Sequence, residues 1–400
     1  MSNKPALRFQ GFTDAWEQRK FGEMYERVSQ KNDLAFGIDK IISVANMYYR
    51  SDIYITASEY LKTYNVLRLG DIAFEGNKSK DFAHGRFVEN TVGDGIVSHV
   101  FVVFRPKMEY DLWFWKYAIN NERLMKDILL RSTKSSTMMT DLVASDFLEE
   151  NFLVPCIEEQ KLIGEALTEL DRLLTLHQRE FLKLTAAKKS LLEKMFPRDG
   201  AAVPEIRFAG FTGAWEQRPL GELADIVRGA SPRPIKDPKW FDADSDIGWL
   251  RISDVTEQDG RIHFLEQHIS KAGQEKTRVL TGPHLLLSIA ATVGKPVINY
   301  VSTGVHDGFL IFQNAQFDRE FMFQWLEMFR PRWSKFGQPG SQVNLNSDLV
   351  KSKEIMLPAE DEQRQIGQFF AALDHLLTLH QRELKKLQSM KKALLEKMFV

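Results

Sequence analysis

The chain has 400 residues, 44% apolar and 27% charged, the composition of a globular protein too long for one ordinary core, so two or more domains are expected. Its 53 basic and 54 acidic side chains leave a net charge of −1, which excludes a coat that holds nucleic acid by bulk charge but permits a reader whose Lys and Arg gather on one face. Cys156 is the only cysteine, no run approaches the roughly 18 apolar residues of a membrane span, and the opening MSNKPALRF has no apolar signal core; an internal disulfide and Cys-rich zinc sites are excluded, and a cytoplasmic location away from membranes is expected.

The chain is written twice. Residues 7–19 read LRFQGFTDAWEQR and residues 206–218 read IRFAGFTGAWEQR, ten identities in thirteen positions at an offset of 199. After the first opening comes a private segment, 24–154. It holds a polar stretch at 76–86 (GNKSKDFAHGR), a helix-like stretch at 112–130 and a hydroxyl-rich stretch at 131–140 (RSTKSSTMMT). Residues 155–196 then match 358–399 with 25 identities in 42 positions at an offset of 203. The second private segment, 223–357, has little sequence in common with the first. It contains a Pro-stiffened loop at 231–240 and the amide-rich run KFGQPGSQVNLN at 335–346. A repeat of this kind fixes architecture before any single residue is interpreted: two similar platforms carry two different surfaces.

Each closing segment predicts one long helix, 159–195 in the first copy. Its apolar residues alternate at spacings of four and three: Ile163, Leu167, Leu170, Leu174, then Phe181, Leu184, Leu191 and Met195, with His177 and Lys188 completing the series. The second copy gives Ile366, Phe370, Leu373, Leu377, His380, Leu384, Leu387, Lys391, Leu394 and Met398. A 3.5-residue period over four heptads signals a coiled coil, and two copies in one chain predict antiparallel pairing with each other. At 1.5 Å per residue such a helix is about 55 Å long, on the order of 16 base pairs of DNA. His177 and His380 are expected close together at mid-helix as a register-setting polar layer, with a pH switch or a metal pair as alternatives. The Lys-rich ends, Lys188 with Lys189 and Lys391 with Lys392, read as solvated faces, or as phosphate or partner contacts. The fold class expected is α+β: two mixed α/β domains joined by an antiparallel two-helix coiled coil, a pseudo-two-fold internal repeat.

Paired motifs of the form FxGFTxAWEQR, then Pro-x3-Glu-Gln-x2-Ile-Gly, then LLEKMF resemble those of type I restriction–modification specificity subunits. The middle motif is Pro155, Glu159, Gln160, Ile163 and Gly164 in the first half, and Pro358, Glu362, Gln363, Ile366 and Gly367 in the second. SPRP at 231–234, DPKW at 237–240, WLRISDV at 249–255 and AATVG at 290–294 also resemble the wording of that family's target recognition domains; residues 24–154 depart further from it. The resemblance implies a first recognition domain at 1–154, a central helix at 155–197, a second recognition domain at 198–357 and a distal helix at 358–400. It further implies that each recognition domain reads one half of a split site in double-stranded DNA. Two modification (methyltransferase) subunits would dock and methylate one adenine per half-site, and restriction subunits would add translocation and cleavage. The chain itself would need no cofactor; S-adenosylmethionine, ATP and Mg would belong to the partners.

Catalytic motifs should then be missing. There is no Gly-rich cofactor loop, and Gly294 and Lys295 fail as a P-loop because Pro296 follows and Ile289 stands where the first glycine should be. Non-DNA scaffolding by two protein-binding domains is the rival function, and an enzyme with an unrecognised site is another. Reading DNA needs Lys, Arg and hydroxyls for the backbone and Arg, Asn and Gln for base edges. On that chemistry the candidate contacts are Lys78, Lys80, His84 and Arg86, then Lys134, Ser135 and Ser136, in the first half. In the second they are Arg233, Lys236 and Lys239, then Lys335, Gln338, Gln342 and Asn344. Trp113, Trp115, Trp325 and Trp333 are expected in cores or interfaces, and Trp16 and Trp215 as packing anchors at domain roots.

Overall fold

The computed structural model describes residues 3–53, 58–135, 139–198, 200–290, 292–333, 336 and 345–400. By their contacts the residues form two compact units, Met1–Gln178 with Arg382–Val400, and Arg179–Gln381.

The first unit is built on a four-stranded antiparallel sheet in the order Tyr25–Val28, Val102–Pro106, Ile72–Glu75, Arg86–Glu89. Ile72–Glu75 is buried along its whole length, as a central strand covered on both faces must be. Phe87 and Phe104 of the sheet cluster with Phe147 and Phe21 in one core, where the Phe21 and Phe147 rings stack with centroids 4.3 Å apart. The expected helix at 112–130 is two, Leu112–Ala118 and Glu122–Ser132. The break falls at Asn121, whose side chain accepts from the Arg123 backbone N–H and caps the second helix. Trp115 lies in this core.

The second unit repeats the plan from unlike residues. Its five-stranded sheet runs Asp225–Arg228, Phe309–Gln313, Leu285–Ser288, Pro296–Asn299, Arg261–Ile262, so its first four strands match the first unit's order. A second sheet, Gly248–Leu250, Thr303–Val305, Arg278–Leu280, lies beside it. Trp325 and Trp333, on the helix Arg319–Trp333, are buried as expected.

The shared motifs clasp each unit at its root. The opening strand Glu17–Lys20 pairs antiparallel with Asn151–Val154, and Glu216–Pro219 with Glu354–Leu357. The Arg8 guanidinium holds the buried Glu159 carboxylate at 2.8 and 2.7 Å, and Arg207 holds Glu362 at 2.7 Å twice. The neighbouring glutamines act as backbone bridges. Gln160 accepts from the Asp111 N–H and donates to the Pro155 carbonyl; Gln363 does the same with Asp318 and Pro358. Gly164 and Gly367 let a helix start press onto the long helix. A Cβ there would lie 2.4 Å from the Asp111 carboxylate or 2.6 Å from that of Asp318, each of which caps the helix that follows it. Trp16 and Trp215 are both 3% exposed, the packing anchors the sequence suggests.

The closing segments are helices Ile157–Met195 and Glu360–Lys397. Within each unit, parts of both run antiparallel. In the first, Ile163 and Leu167 join Leu394, Leu395, Met398 and Phe399 in one core, and Leu7 N–H donates to the Lys397 carbonyl. In the second, Leu191, Met195 and Phe196 pack with Ile366, Phe370 and Leu373, and Ile206 N–H donates to the Lys194 carbonyl. Every expected seam position is buried or half-buried, His177 and His380 included, while most residues between them are exposed. One expectation is corrected. Lys188 and Lys391 are not on solvated faces: Lys188 pairs with Asp374 and Lys391 with Asp171, at seam positions where a lone ammonium would be costly. Lys189 and Lys392 are exposed.

Candidate nucleic-acid interface

In the first unit the two polar stretches singled out in the sequence meet. The strand Thr133–Ser135 pairs antiparallel with Thr140–Leu142. The 76–86 loop is stitched to it: Asn77 bridges Met139, Thr140 N–H donates to the Gly76 carbonyl at 2.8 Å, and the Thr140 hydroxyl donates to the His84 carbonyl at 3.0 Å. Across this seam Lys78 Nζ donates to Ser135 Oγ at 3.1 Å. Lys78, Lys80, Lys134 and Ser135 are exposed on the joined surface, and His84 is half-buried. Lys80 and Lys134 have no ion pair among the described residues. Three ammonium groups and hydroxyls on a hydrogen-bonded platform have the chemistry to take phosphates.

Arg86 is different. It lies not in the loop but on the strand Arg86–Glu89, with Nε 2.8 Å from Glu75, Nη2 on the Ala45 carbonyl at 2.8 Å, and its guanidinium over the Phe82 ring. Its donors are largely spent on holding the sheet edge. Ser136, Lys335, Gln338, Gln342 and Asn344 lie outside the described residues.

In the second unit the 231–240 loop is built around Trp240, whose indole N–H donates to the Pro234 carbonyl at 3.0 Å and whose ring carries Lys239 Nζ at 4.4 Å. Asp237 caps the short turn Pro238–Trp240; the Lys239 backbone N–H first, and its ammonium second, hold that carboxyl below its usual range. Arg233, Lys236 and Lys239 are all exposed. Arg233 is tethered by Nη2 to Asp307 at 2.6 Å, and Asp307 also accepts from the Ser231 hydroxyl at 2.8 Å. Burial alone would raise the Asp307 pKa, but the Ser231 bond and the charges of His306, Arg233 and Arg228 bring it below the usual value.

The motifs do not show what gathers at the strand edge around Asp307 and the Arg228 carbonyl. Arg228, Arg278 and His306 are scattered over 79 positions, and no motif marks them. Only the pairing of Asp225–Arg228 with Phe309–Gln313, and of Arg278–Leu280 with Thr303–Val305, brings them to one edge. Among the described residues no helix is long and apolar enough to cross a membrane.

Comparison with known proteins agrees with this architecture. The profile of the type I restriction modification DNA specificity domain matches residues 13–186 and again 213–389. The type I restriction enzyme MjaVIII specificity subunit of Methanocaldococcus jannaschii is 22% identical over 408 aligned positions, covering 95% of this chain and 91% of that one. The putative MjaX specificity subunit of the same organism is 20% identical, covering 95% and 92%. Among solved structures, the type I restriction-modification S subunit from M. genitalium superposes with a TM-score of 0.63 at 14% identity over 99% of both chains. A chain from a study of complex assembly and conformational transition of the type I R-M system gives 0.52 at 18% identity, over 96% and 97%. With one copy of its domain in each half, the chain belongs to the family of type I restriction–modification DNA specificity subunits.

Proposed function

We propose that this chain reads a bipartite site in double-stranded DNA, one half-site per unit, and directs adenine methylation and cleavage carried out by partner subunits. The observation that carries the reading is the duplication itself: two copies of a DNA specificity domain with the same strand order and unlike polar loops. Two different surfaces on two equal platforms suit two different half-sites. The chain is the non-catalytic member of such a complex. Two modification subunits would bring S-adenosylmethionine and flip the target base into their own pockets; restriction subunits would bring ATP and Mg.

The contacts proposed are Lys78, Lys80, Lys134 and Ser135 on the first unit, with His84 beside them, and Arg233, Lys236 and Lys239 on the second. Ser136, Lys335, Gln338, Gln342 and Asn344 belong to the same proposal, and Arg86 is its weakest member because its donors are already taken. The test is selection from random duplex pools by the full chain, alone and with a modification subunit. A split consensus with a fixed gap supports the reading. Absence of any DNA preference with the partner present overturns it in favour of scaffolding, and methylation or cleavage by the chain alone overturns it in favour of an enzyme.

A further inference from the structure

Arg228 closes the strand Asp225–Arg228, and its Nε donates to the Asp307 carbonyl at 2.6 Å. Arg278 opens the strand Arg278–Leu280, and its Nε donates to the Arg228 carbonyl at 2.8 Å. Both side chains are thus aimed by backbone acceptors. Among the described residues neither guanidinium has a carboxylate partner, whereas arginines such as Arg8, Arg105, Arg207 and Arg261 are spent on ion pairs. Arg233 joins them through Asp307, whose carboxylate it holds by Nη2 and whose carbonyl takes Arg228, while Arg278 reaches the same edge through the Arg228 carbonyl.

The seat beneath them is rigid. Gly229 N–H donates to the Phe309 carbonyl and Ala230 N–H to that of Val305, and the Thr277 hydroxyl donates to the Ala230 carbonyl at 2.6 Å. A Cβ at Gly229 would lie 2.2 Å from the His306 carbonyl, so the segments touch backbone to backbone. His306 is fixed in the same seat. Its Nδ1 accepts from the Gly308 N–H at 2.9 Å, and Trp249 meets its ring edge to face. Asp307 Oδ1 also lies 3.2 Å from Nδ1, but that oxygen already takes the Ser231 hydroxyl, and a proton on Nδ1 would oppose the Gly308 donor. Burial holds the imidazole below its usual pKa, with Asp307 opposing and Arg233 and Arg228 adding to the shift. A neutral ring that accepts at Nδ1 carries its proton on Nε2, which has no partner among the described residues.

We infer that Arg228, Arg278 and His306 form, with Arg233, a DNA-contact patch of the second unit, in which the arginines hold backbone phosphates and the His306 Nε2–H donates to an acceptor on a base edge. The inference rests on the DNA-reading function proposed above. Pre-aimed guanidinium forks suit phosphate oxygens. A locked donor suits base reading because its position costs no ordering on binding.

The experiment uses the full chain with a modification subunit, comparing wild type with Arg228→Ala, Arg278→Ala and His306→Ala by duplex selection and by affinity against salt. Each arginine variant is expected to weaken binding to all duplexes and to flatten the slope of log affinity on log salt by about 0.9, leaving the consensus intact. His306→Ala is expected to relax one base pair of one half-site, by about tenfold in discrimination, with the salt slope unchanged. All three side chains are exposed or half-buried, and unfolding midpoints equal to wild type show that the fold is kept. An unchanged salt slope in the arginine variants, or an unchanged consensus in His306→Ala, overturns the inference while wild type still selects a site. If wild type selects no site, the function proposed above fails, and the patch with it.

Discussion

Lys391 Nζ lies 2.6 Å from the Asp171 carboxylate, and the repeat places its counterpart at Lys188 and Asp374. Each half lends its Lys to the other half's Asp, one pair in each unit. The surroundings differ. Asp171 also accepts from the Tyr117 hydroxyl at 2.7 Å, whereas Asp374 also accepts from Gln324 at 2.7 Å and Arg261 at 3.1 Å. The Asp374 carboxylate is the more enclosed, 14% exposed against 31%.

Asp374→Asn should therefore destabilise its unit by about 3 kcal/mol, because it strands buried cations, and Asp171→Asn its own by about 1 kcal/mol. Burial would raise the Asp374 pKa, but Lys188 and then Arg261 and Gln324 lower it below the usual value. A lowered carboxylate stabilises above the unfolded-state pKa, and that stability fades as pH falls through the folded value. The Asp374→Asn deficit should thus be full at pH 7 and shrink towards pH 3. Denaturant titrations at both pH values check it; a deficit of constant size would count against the ion-pair account.

The two root clasps are unequal in one bond. Trp16 Nε1 donates to Glu159 at 3.1 Å, while the buried Trp215 Nε1 has no partner among the described residues. After Arg8→Ala the Glu159 carboxylate keeps a donor; after Arg207→Ala Glu362 keeps none among the described residues. Both should cost on the order of 3–5 kcal/mol, with Arg207→Ala the larger. Equal losses in urea melts would show that the indole bond is energetically silent.

Glu89 is 2% exposed, and neither carboxyl oxygen has a hydrogen-bond partner among the described residues. Burial first, then the charges of Asp111 and Asp71, push its pKa well above the usual range, so the folded state favours its protonated form. Stability from such a group is present below the unfolded pKa, about 4.3, and is lost as pH rises through the folded value. Glu89→Gln should leave thermal stability near wild type at pH 4 and raise it at pH 8. A shift of the same size at both pH values would mean that ionisation is not the cause.

On the bipartite reading proposed above, inserting seven residues into both long helices should lengthen the gap between half-sites and leave the half-site sequences alone. Replacing residues 24–154 by another recognition domain should change one half-site only. Duplex selection reads both; altered half-sites in the first case, or two changed halves in the second, would overturn the independence of reader and spacer.

The duplication, the long helices with their seams and the two-domain α+β plan were legible in the sequence, because a repeat and a 3.5-residue period report locally which face of a segment is buried. Periodicity does not say what covers that face. That Lys188 and Lys391 are half-buried ion-pair members, that Arg86 is bound to Glu75, and that Lys78 reaches Ser135 across 57 positions depend on partners distant in sequence. The Arg228, Arg278 and His306 patch needed strand pairing to exist at all. Charge and hydrogen-bond capacity belong to single residues, but whether they are spent inside the fold or left for a ligand is decided only when the chain closes on itself.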